Sequence, residues 1–338
     1  MAFTARLTNS DTTFEIKEGE TVLDAALRQG VEMEYGCRHG RCSACKYFLE
    51  DGDVDFGEAS VYSLSDEERE EGYGLMCCAT PLTDLEIESK EIPDPRAKPH
   101  LIPDDRRARV SAVTQIADTL WRLTVELDEP LEFYAGQFVE LQLHGRDEWR
   151  SYSIASDPAA GNELEFVIKY HDGGAFSGQL PTLSVGDEMT VRGPFGRSYL
   201  RDGEEDLLLV ATGSGIAPLV SMVKVIAREK QSRGVALFYG ARTMEDVPDT
   251  IEALRDLLSE NERASVKVCL TQPPDIWNGN QGRVTLAIQS DVADASASSA
   301  YVCGSPEMCE TVGTLLEAKG IPDGELRYDK FHSATSDA

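Results

Sequence analysis

Apolar and polar positions alternate along FTARLTN (3–9) and again along TTFEIKE (12–18). That period of two, with a short polar gap between the runs, predicts a hairpin. TVLDAALRQG (21–30) changes to helical spacing and stops at Gly30, so a short helix is expected there. DLEIESKE (84–91) alternates again and is expected to close the first sheet. From residue 107 come ARVSAVTQI, LWRLTVEL, GQFVELQL, LEFVIKY and EMTVRG, separated by turn residues, and these predict an antiparallel barrel. Beyond about residue 204 the apolar runs become continuous in DLLLVA, VALFYGA, SVKVCL and AYVCG. PLVSMVKVIARE and PEMCETVGTLLEAKG read as helices between or after them. Strands alternating with helices predict a parallel α/β sheet.

One stretch breaks all periodicity. EIPDPRAKPHLIPDD (91–105) holds four prolines and reads as a linker. The 338 residues therefore divide into an N-terminal domain (1–92), a linker (93–106), a barrel (107–202) and an α/β domain (203–338). The fold class expected is multidomain, α+β and α/β.

Charge and composition narrow the functions. The net charge of −28 repels phosphate backbones and argues against nucleic acid as a partner. The same charge keeps a chain soluble or steers it towards a basic patch. No apolar run approaches the roughly 18 residues that a membrane span needs. The start, MAFTARLTNSDTTFEI, has no charged segment followed by an apolar one. No signal peptide and a cytoplasmic location are expected. Of eight cysteines, five lie between Cys37 and Cys78, with Cys269, Cys303 and Cys309 far behind. In a reducing compartment so dense a group reads as metal ligation rather than disulfides.

Cys37, Cys42 and Cys45 are spaced C-x4-C-x2-C, with the adjacent Cys77 and Cys78 farther on. This is the plant-type spacing for a [2Fe–2S] cluster. Gly36, Gly40, Ser43 and Ala44 are small enough to let backbone N–H groups approach the sulfurs. A structural zinc site would favour paired C-x2-C knuckles instead. The fourth ligand is one of Cys77 and Cys78, which would face opposite sides of an extended segment.

YGCRHGRCSACKYFLEDGDVDFGEAS and GLMCCATPLTDLEIES resemble the N-terminal ferredoxin domain of reductases that serve bacterial multicomponent monooxygenases, of the phenol hydroxylase and alkene–propane type. The resemblance implies a β-grasp ferredoxin fold and, through Leu75-Met76-Cys77, Cys77 as the fourth ligand. Cys78 is then a neighbouring free thiol. Arg38, His39, Arg41 and Lys46 crowd the same loop, although residues 1–90 hold 8 Lys/Arg against 20 Asp/Glu. Those cations either receive a partner's carboxylates or merely offset the anionic cluster.

The resemblance extends along the chain to the ferredoxin–NADP reductase superfamily. RSYSIAS (150–156), preceded by AGQFVEL (135–141), resembles its Arg-x-Tyr-Ser motif. This implies Arg150 on the flavin pyrophosphate, Tyr152 against the isoalloxazine, Ser153 near the hydride-accepting atom, and Ser151 beside them. GGAFSGQL (173–180) resembles the second phosphate segment, with Gly174 and Ser177, and Lys169 joins the cofactor set. GPFGRSYL (193–200) resembles the barrel's end. LLLVATGSGIAPLVSM (207–222) carries T-G-x-G-x-x-P, which implies Thr212, Gly213 and Gly215 at a nicotinamide dinucleotide, with Pro218 in the first helical turn. YVCGSPEM (301–308) resembles the Cys-Gly-x-Pro segment, which implies Cys303 and Gly304 beside the nicotinamide. Phe331 resembles a C-terminal aromatic that covers the flavin; Asp329 stands where most relatives have glutamate, and no role is assigned to it.

The cofactors implied are a [2Fe–2S] cluster, FAD and a nicotinamide, with Ser153 and Cys303 as the reactive pair. Arg242 argues for NADPH by the simple Rossmann rule, while the resemblance implies NADH, which is the expectation here. The implied activity is an NADH-dependent reductase that feeds single electrons to a di-iron monooxygenase hydroxylase. A Rieske-type dioxygenase as client, or an iron–sulfur redox sensor, are the alternatives.

Overall fold

The computed structural model describes residues 2–10, 12–89, 94 and 96–331. The described residues form two compact units, one running up to Pro103 and the other Asp104–Phe331. In the first unit, β1 (Phe3–Leu7) and β2 (Thr13–Ile16) make the expected hairpin. Their alternation turns Ala5, Leu7, Phe14 and Ile16 inward onto α1 (Val22–Arg28). Thr21 caps that helix by accepting from the Asp24 amide at 3.1 Å. Three further strands complete the sheet: β3 (Lys46–Asp51), β5 (Tyr73–Leu75) and β7 (Leu85–Ser89). The order is β2-β1-β7-β3-β5, with β1 and β7 parallel. A small pair, β4 (Val54–Asp55) with β6 (Thr80–Pro81), and α2 (Asp66–Glu70) lie outside it. Lys90 and Glu91, expected at the end of the closing strand, fall outside the described residues.

The second unit opens with β8 (Asp104–Gln115), β9 (Leu120–Leu127), β10 (Phe138–Leu143), β11 (Arg150–Ser153), β12 (Glu163–Lys169) and β13 (Glu188–Phe195). They form one antiparallel sheet ordered β11-β10-β13-β8-β9-β12. An Ile154–Phe166 bridge joins its two ends, so the sheet is a nearly closed barrel. The first strand reaches back to Asp104, inside the stretch read as linker. There Asp104 and Asp105 pair with Gly193 and Arg192, and Arg192 binds Asp105 at 2.7 Å. A cross-strand ion pair extends the ladder where hydrophobic periodicity gives no signal.

Six parallel strands follow: β14 (Asp206–Thr212), β15 (Val235–Ala241), β16 (Ala264–Leu270), β17 (Asn280–Gln281), β18 (Ser298–Gly304) and β19 (Leu326–Lys330), ordered β17-β16-β15-β14-β18-β19. α3 (Ile216–Arg228) and α4 (Thr250–Leu257) pack on one face, and α5 (Val284–Asp291) and α6 (Pro306–Ala318) on the other. The barrel residues Ile116, Leu120, Ala155 and Val167 share a core with α3. Ser221 on α3 also donates to the Ser156 carbonyl at 2.6 Å. Barrel and parallel sheet are thus one packed body. Among the described residues no helix is long and apolar enough to cross a membrane.

Candidate functional site

The loop between Gly36 and Cys45 has no regular structure and bends at three residues with positive φ: Arg38 (63°), Gly40 (67°) and Ser43 (57°). The bends aim its amides at sulfur. His39 and Arg41 donate to Cys37 Sγ at 3.4 and 3.3 Å, and Cys37 donates to Cys42 Sγ at 3.2 Å. Gly40 donates to Cys77 Sγ at 3.3 Å. A side chain at Gly40 would meet Cys78 Sγ at 2.7 Å and the Ala59 backbone at 3.0 Å, so this position admits none.

The Cys37 thiol is hydrogen-bonded to Cys42, and Cys77 to both Cys45 and Cys78. Hydrogen bonding from Cys37 pulls the Cys42 thiol down to about 6, while Cys37 is driven up. Cys45, then Cys78 and the Gly40 amide, hold Cys77 down at about 3, while Cys45 is driven up. Among the described residues no three such donors are placed around a single ion. Three cysteines on one loop and a fourth from the turn after β5 suit a two-iron cluster, two sulfurs to each iron.

Cys77 and Cys78 sit in a turn, not on an extended segment, and their sulfurs are only 3.7 Å apart. Opposite facing therefore does not separate them. What does is partnership: Cys77 receives the Gly40 amide, whereas Cys78 donates to the Glu58 carbonyl at 3.7 Å. The cationic loop is also less available than its sequence suggests. Arg38 is 8% exposed and bound to Asp24 at 2.9 Å, and Lys46 is bound to Glu68 at 2.5 Å.

In the barrel, Arg150, Ser151, Tyr152 and Ser153 lie on the edge strand β11, opposite Leu141, Glu140, Val139 and Phe138. The Arg150 guanidinium donates to the Trp149 carbonyl at 2.8 Å. The Tyr152 ring packs on Phe176, 5.0 Å between centroids, and so ties this strand to the segment that carries Gly174 and Ser177. A side chain at Gly174 would meet Ser177 Oγ at 2.5 Å. An arginine fork, two serine hydroxyls and a tight glycine turn are a donor set that fits a flavin diphosphate.

Ser153 is buried and donates to Asp329 Oδ2 on β19 at 3.1 Å. Asp329 stands in register with Cys303 on β18. Three strands distant in sequence thus bring Ser153, Asp329 and Cys303 together. Burial pushes the Cys303 thiol well above its ordinary range, and the Asp329 carboxylate pushes the same way. Cys303 is a neutral thiol with no exposed surface, unsuited to act as a thiolate. Asp329 is the residue that sequence reasoning passed over. Its only signal was its place two residues before Phe331, whose amide donates to the Gly304 carbonyl at 2.7 Å.

A cleft of about 560 Å³ opens at the carboxyl ends of β14, β15 and β16, a usual place and size for a ligand site in such sheets. Of the residues expected at the cofactors it gathers Lys169, Thr212 and Gly213. Gly215, Cys303 and Gly304 do not line it, nor do Phe331 and the Arg150–Ser153 and Gly174–Ser177 groups. The two glycines of T-G-x-G divide their work. Gly213 (φ 55°) faces open space, whereas a side chain at Gly215 would strike the Cys303 carbonyl at 2.3 Å. Gly215 therefore serves the packing of α3 on β18 and not the cleft. The 3-10 turn Gly213–Gly215 between β14 and α3 carries no side-chain cap at its start, whereas the first amide of α3, that of Ile216, bonds back into the turn. Arg242 and Asp246, both in the cleft, form an ion pair at 3.7 Å, and Asp246 accepts from the Thr243 amide and hydroxyl at 3.1 and 3.2 Å.

Three family models match in series: a 2Fe-2S iron-sulfur cluster binding domain over residues 5–82, an oxidoreductase FAD-binding domain over 107–199 and an oxidoreductase NAD-binding domain over 209–314. The chain is 34% identical to the reductase component of a phenol 2-monooxygenase from Pseudomonas sp. (strain CF600), over 100% of this chain and 97% of the relative. It is also 34% identical to the reductase component of a propane 2-monooxygenase from Gordonia sp. (strain TY-5), over 97% and 96%. Among solved structures it resembles a cytochrome P450 reductase from Amycolatopsis, with a TM-score of 0.87 and 31% identity over 98% of this chain and 100% of that one.

Proposed function

The chain belongs to the iron–sulfur flavoprotein reductases of multicomponent oxygenases, and from that premise we propose that it carries electrons from NADH through FAD and a [2Fe–2S] cluster to a soluble di-iron hydroxylase in the cytoplasm. The observation that carries the reading is the bent loop whose backbone amides converge on the sulfurs of Cys37, Cys42 and Cys77, in a chain that also holds a cleft at the carboxyl ends of its parallel strands. When bound, the nicotinamide supplies a hydride, the flavin divides that electron pair, and the cluster carries single electrons.

The chain's own residues do the rest. Cys37, Cys42, Cys45 and Cys77 would hold the irons, and the His39, Gly40 and Arg41 amides would lower the cost of negative charge on sulfur. Arg150 and the Gly174–Ser177 turn would anchor the flavin diphosphate. Thr212, Gly213 and the uncapped 3-10 turn that Gly213 opens would receive the nicotinamide diphosphate. Ser153, oriented by Asp329, places a hydroxyl oxygen at the reacting end, and the neutral, buried Cys303 keeps water out beside it. No side-chain base is needed, because direct hydride transfer passes no proton through the protein. In reconstitution, the chain is expected to drive NADH-dependent hydroxylation by the phenol or propane 2-monooxygenase hydroxylase, and not by a Rieske-type dioxygenase. Product formation coupled to NADH consumption is the measurement. Turnover with the dioxygenase alone would reassign the client.

Nicotinamide choice rests on Arg242 and Asp246. Paired at 3.7 Å, they are close to neutral together. A 2′-phosphate would have to draw Arg242 away from a carboxylate and approach that carboxylate, so NADH is preferred. Asp246→Asn is expected to raise kcat/KM for NADPH relative to NADH by about tenfold, the equivalent of ~1.4 kcal/mol. An unchanged ratio in steady-state assays with both nucleotides would remove Asp246 from the selection.

A further inference from the structure

Directly against the cysteine loop lies the segment Gly57–Ser65. The Ser60 amide donates to the Gly40 carbonyl at 3.0 Å and the Ser43 hydroxyl to the Ser63 carbonyl at 3.0 Å. Arg69 holds the segment from behind, donating to the Ala59 carbonyl at 3.3 Å with its guanidinium 5.7 Å from the Phe56 ring. Ser63 and Leu64 are buried, yet the two residues before them point outward, Val61 at 62% and Tyr62 at 88% exposure. An exposed tyrosine on a backbone tied at both ends is a preorganised contact, with little entropy left to lose on binding. Along the segment and the helix that follows it, carboxylates outnumber cations. From Gly57 to Glu71 there are six carboxylates and one arginine. Asp66, Glu67, Glu70 and Glu71 are exposed. The capping box at Ser65 and Glu68 fixes α2, and with it the direction in which these carboxylates face.

We propose that Val61 and Tyr62, with the acidic α2 that follows them in the chain, are the docking surface for the electron-accepting oxygenase component, which meets them with an apolar pocket flanked by a basic patch. This rests on the reductase reading above. It replaces the cationic loop as the contact, since Arg38 and Lys46 are already engaged within the chain. The choice of occupant follows from charge complementarity and from continuity with the cysteine loop, because an acceptor of cluster electrons has to come close to that loop. An aromatic anchor inside a charged rim is the usual anatomy of a transient interface, in which the anchor sets affinity and the rim sets association rate.

The test uses the full-length holoprotein and whichever of the phenol or propane hydroxylases it drives. Tyr62→Ala is expected to raise the half-saturating hydroxylase concentration about tenfold and to leave turnover at saturation unchanged. Tyr62→Phe should behave as wild type. Glu67→Lys with Glu70→Lys should slow transfer about tenfold at low salt and flatten the decline that salt causes in the wild type. NADH reduction of the cluster, followed by its visible absorbance, should be unaltered in every variant. Unchanged hydroxylase kinetics in Tyr62→Ala and the double variant would overturn the proposal. Slower NADH reduction of the cluster would overturn it too, since the chain's own flavin unit would then be the occupant. A wild-type chain that drives no hydroxylase, though NADH reduces its cluster, would overturn the client reading and this surface with it.

Discussion

Replacing Cys42 by serine is expected to remove the cluster and leave the flavin half of the chain working. The Cys42 sulfur receives the Cys37 amide at 3.2 Å and is paired with the Cys37 thiol, so its loss strips one iron of a ligand. Cytochrome c reduction and hydroxylase support should fall by more than the roughly 10–100-fold that loss of outer-shell support alone costs. NADH–ferricyanide activity, which needs only the second unit, should stay within about twofold of wild type, as the separate cores of the two units allow. Loss of ferricyanide activity in a folded, flavin-loaded variant would contradict this modular arrangement. The neighbouring thiols give an internal control. Cys77→Ser should behave like Cys42→Ser, whereas Cys78→Ser should retain the cluster absorbance. The reverse result would make Cys78 the ligand.

The second large effect is expected at Ser153. Its hydroxyl donates to Asp329 at 3.1 Å, which fixes a rotamer that the buried setting then protects. Ser153→Ala removes a preorganised polar group from the reacting end. The rate of anaerobic flavin reduction by NADH is expected to drop by about 10²- to 10³-fold, the usual cost of such a group. Flavin content should be unchanged, since Arg150 and the Gly174–Ser177 turn remain. Asp329→Asn keeps an acceptor for the hydroxyl and should cost far less. A stopped-flow trace for Ser153→Ala that matches wild type would show the hydroxyl to be structural only.

How much of this was readable before the fold depended on the range of the interaction. C-x4-C-x2-C lies within nine residues, so covalent spacing alone converges three thiols, and the hairpin, the helix after Thr21 and the buried strands follow from local periodicity. The T-G-x-G turn was legible for the same reason, although the work of its second glycine was not. Gly215 is needed because β18, almost ninety residues later, passes within 2.3 Å of where its side chain would be. Asp329 and Ser153 are 176 residues apart and meet only because β19 lies beside β18 at the sheet's edge next to the barrel. The different partners of Cys77 and Cys78, the Gly40 amide and the Glu58 carbonyl, are set by a turn where an extended segment was expected, and Arg38 and Lys46 are engaged by Asp24 and Glu68. Periodicity and short spacing thus determined the order of the sheets and the cysteine pattern, and resemblance to a family supplied the flavin and nicotinamide. Tertiary packing alone decided which groups are free, which are spent on one another, and which pairs meet, because burial and long-range contact are properties of the folded chain.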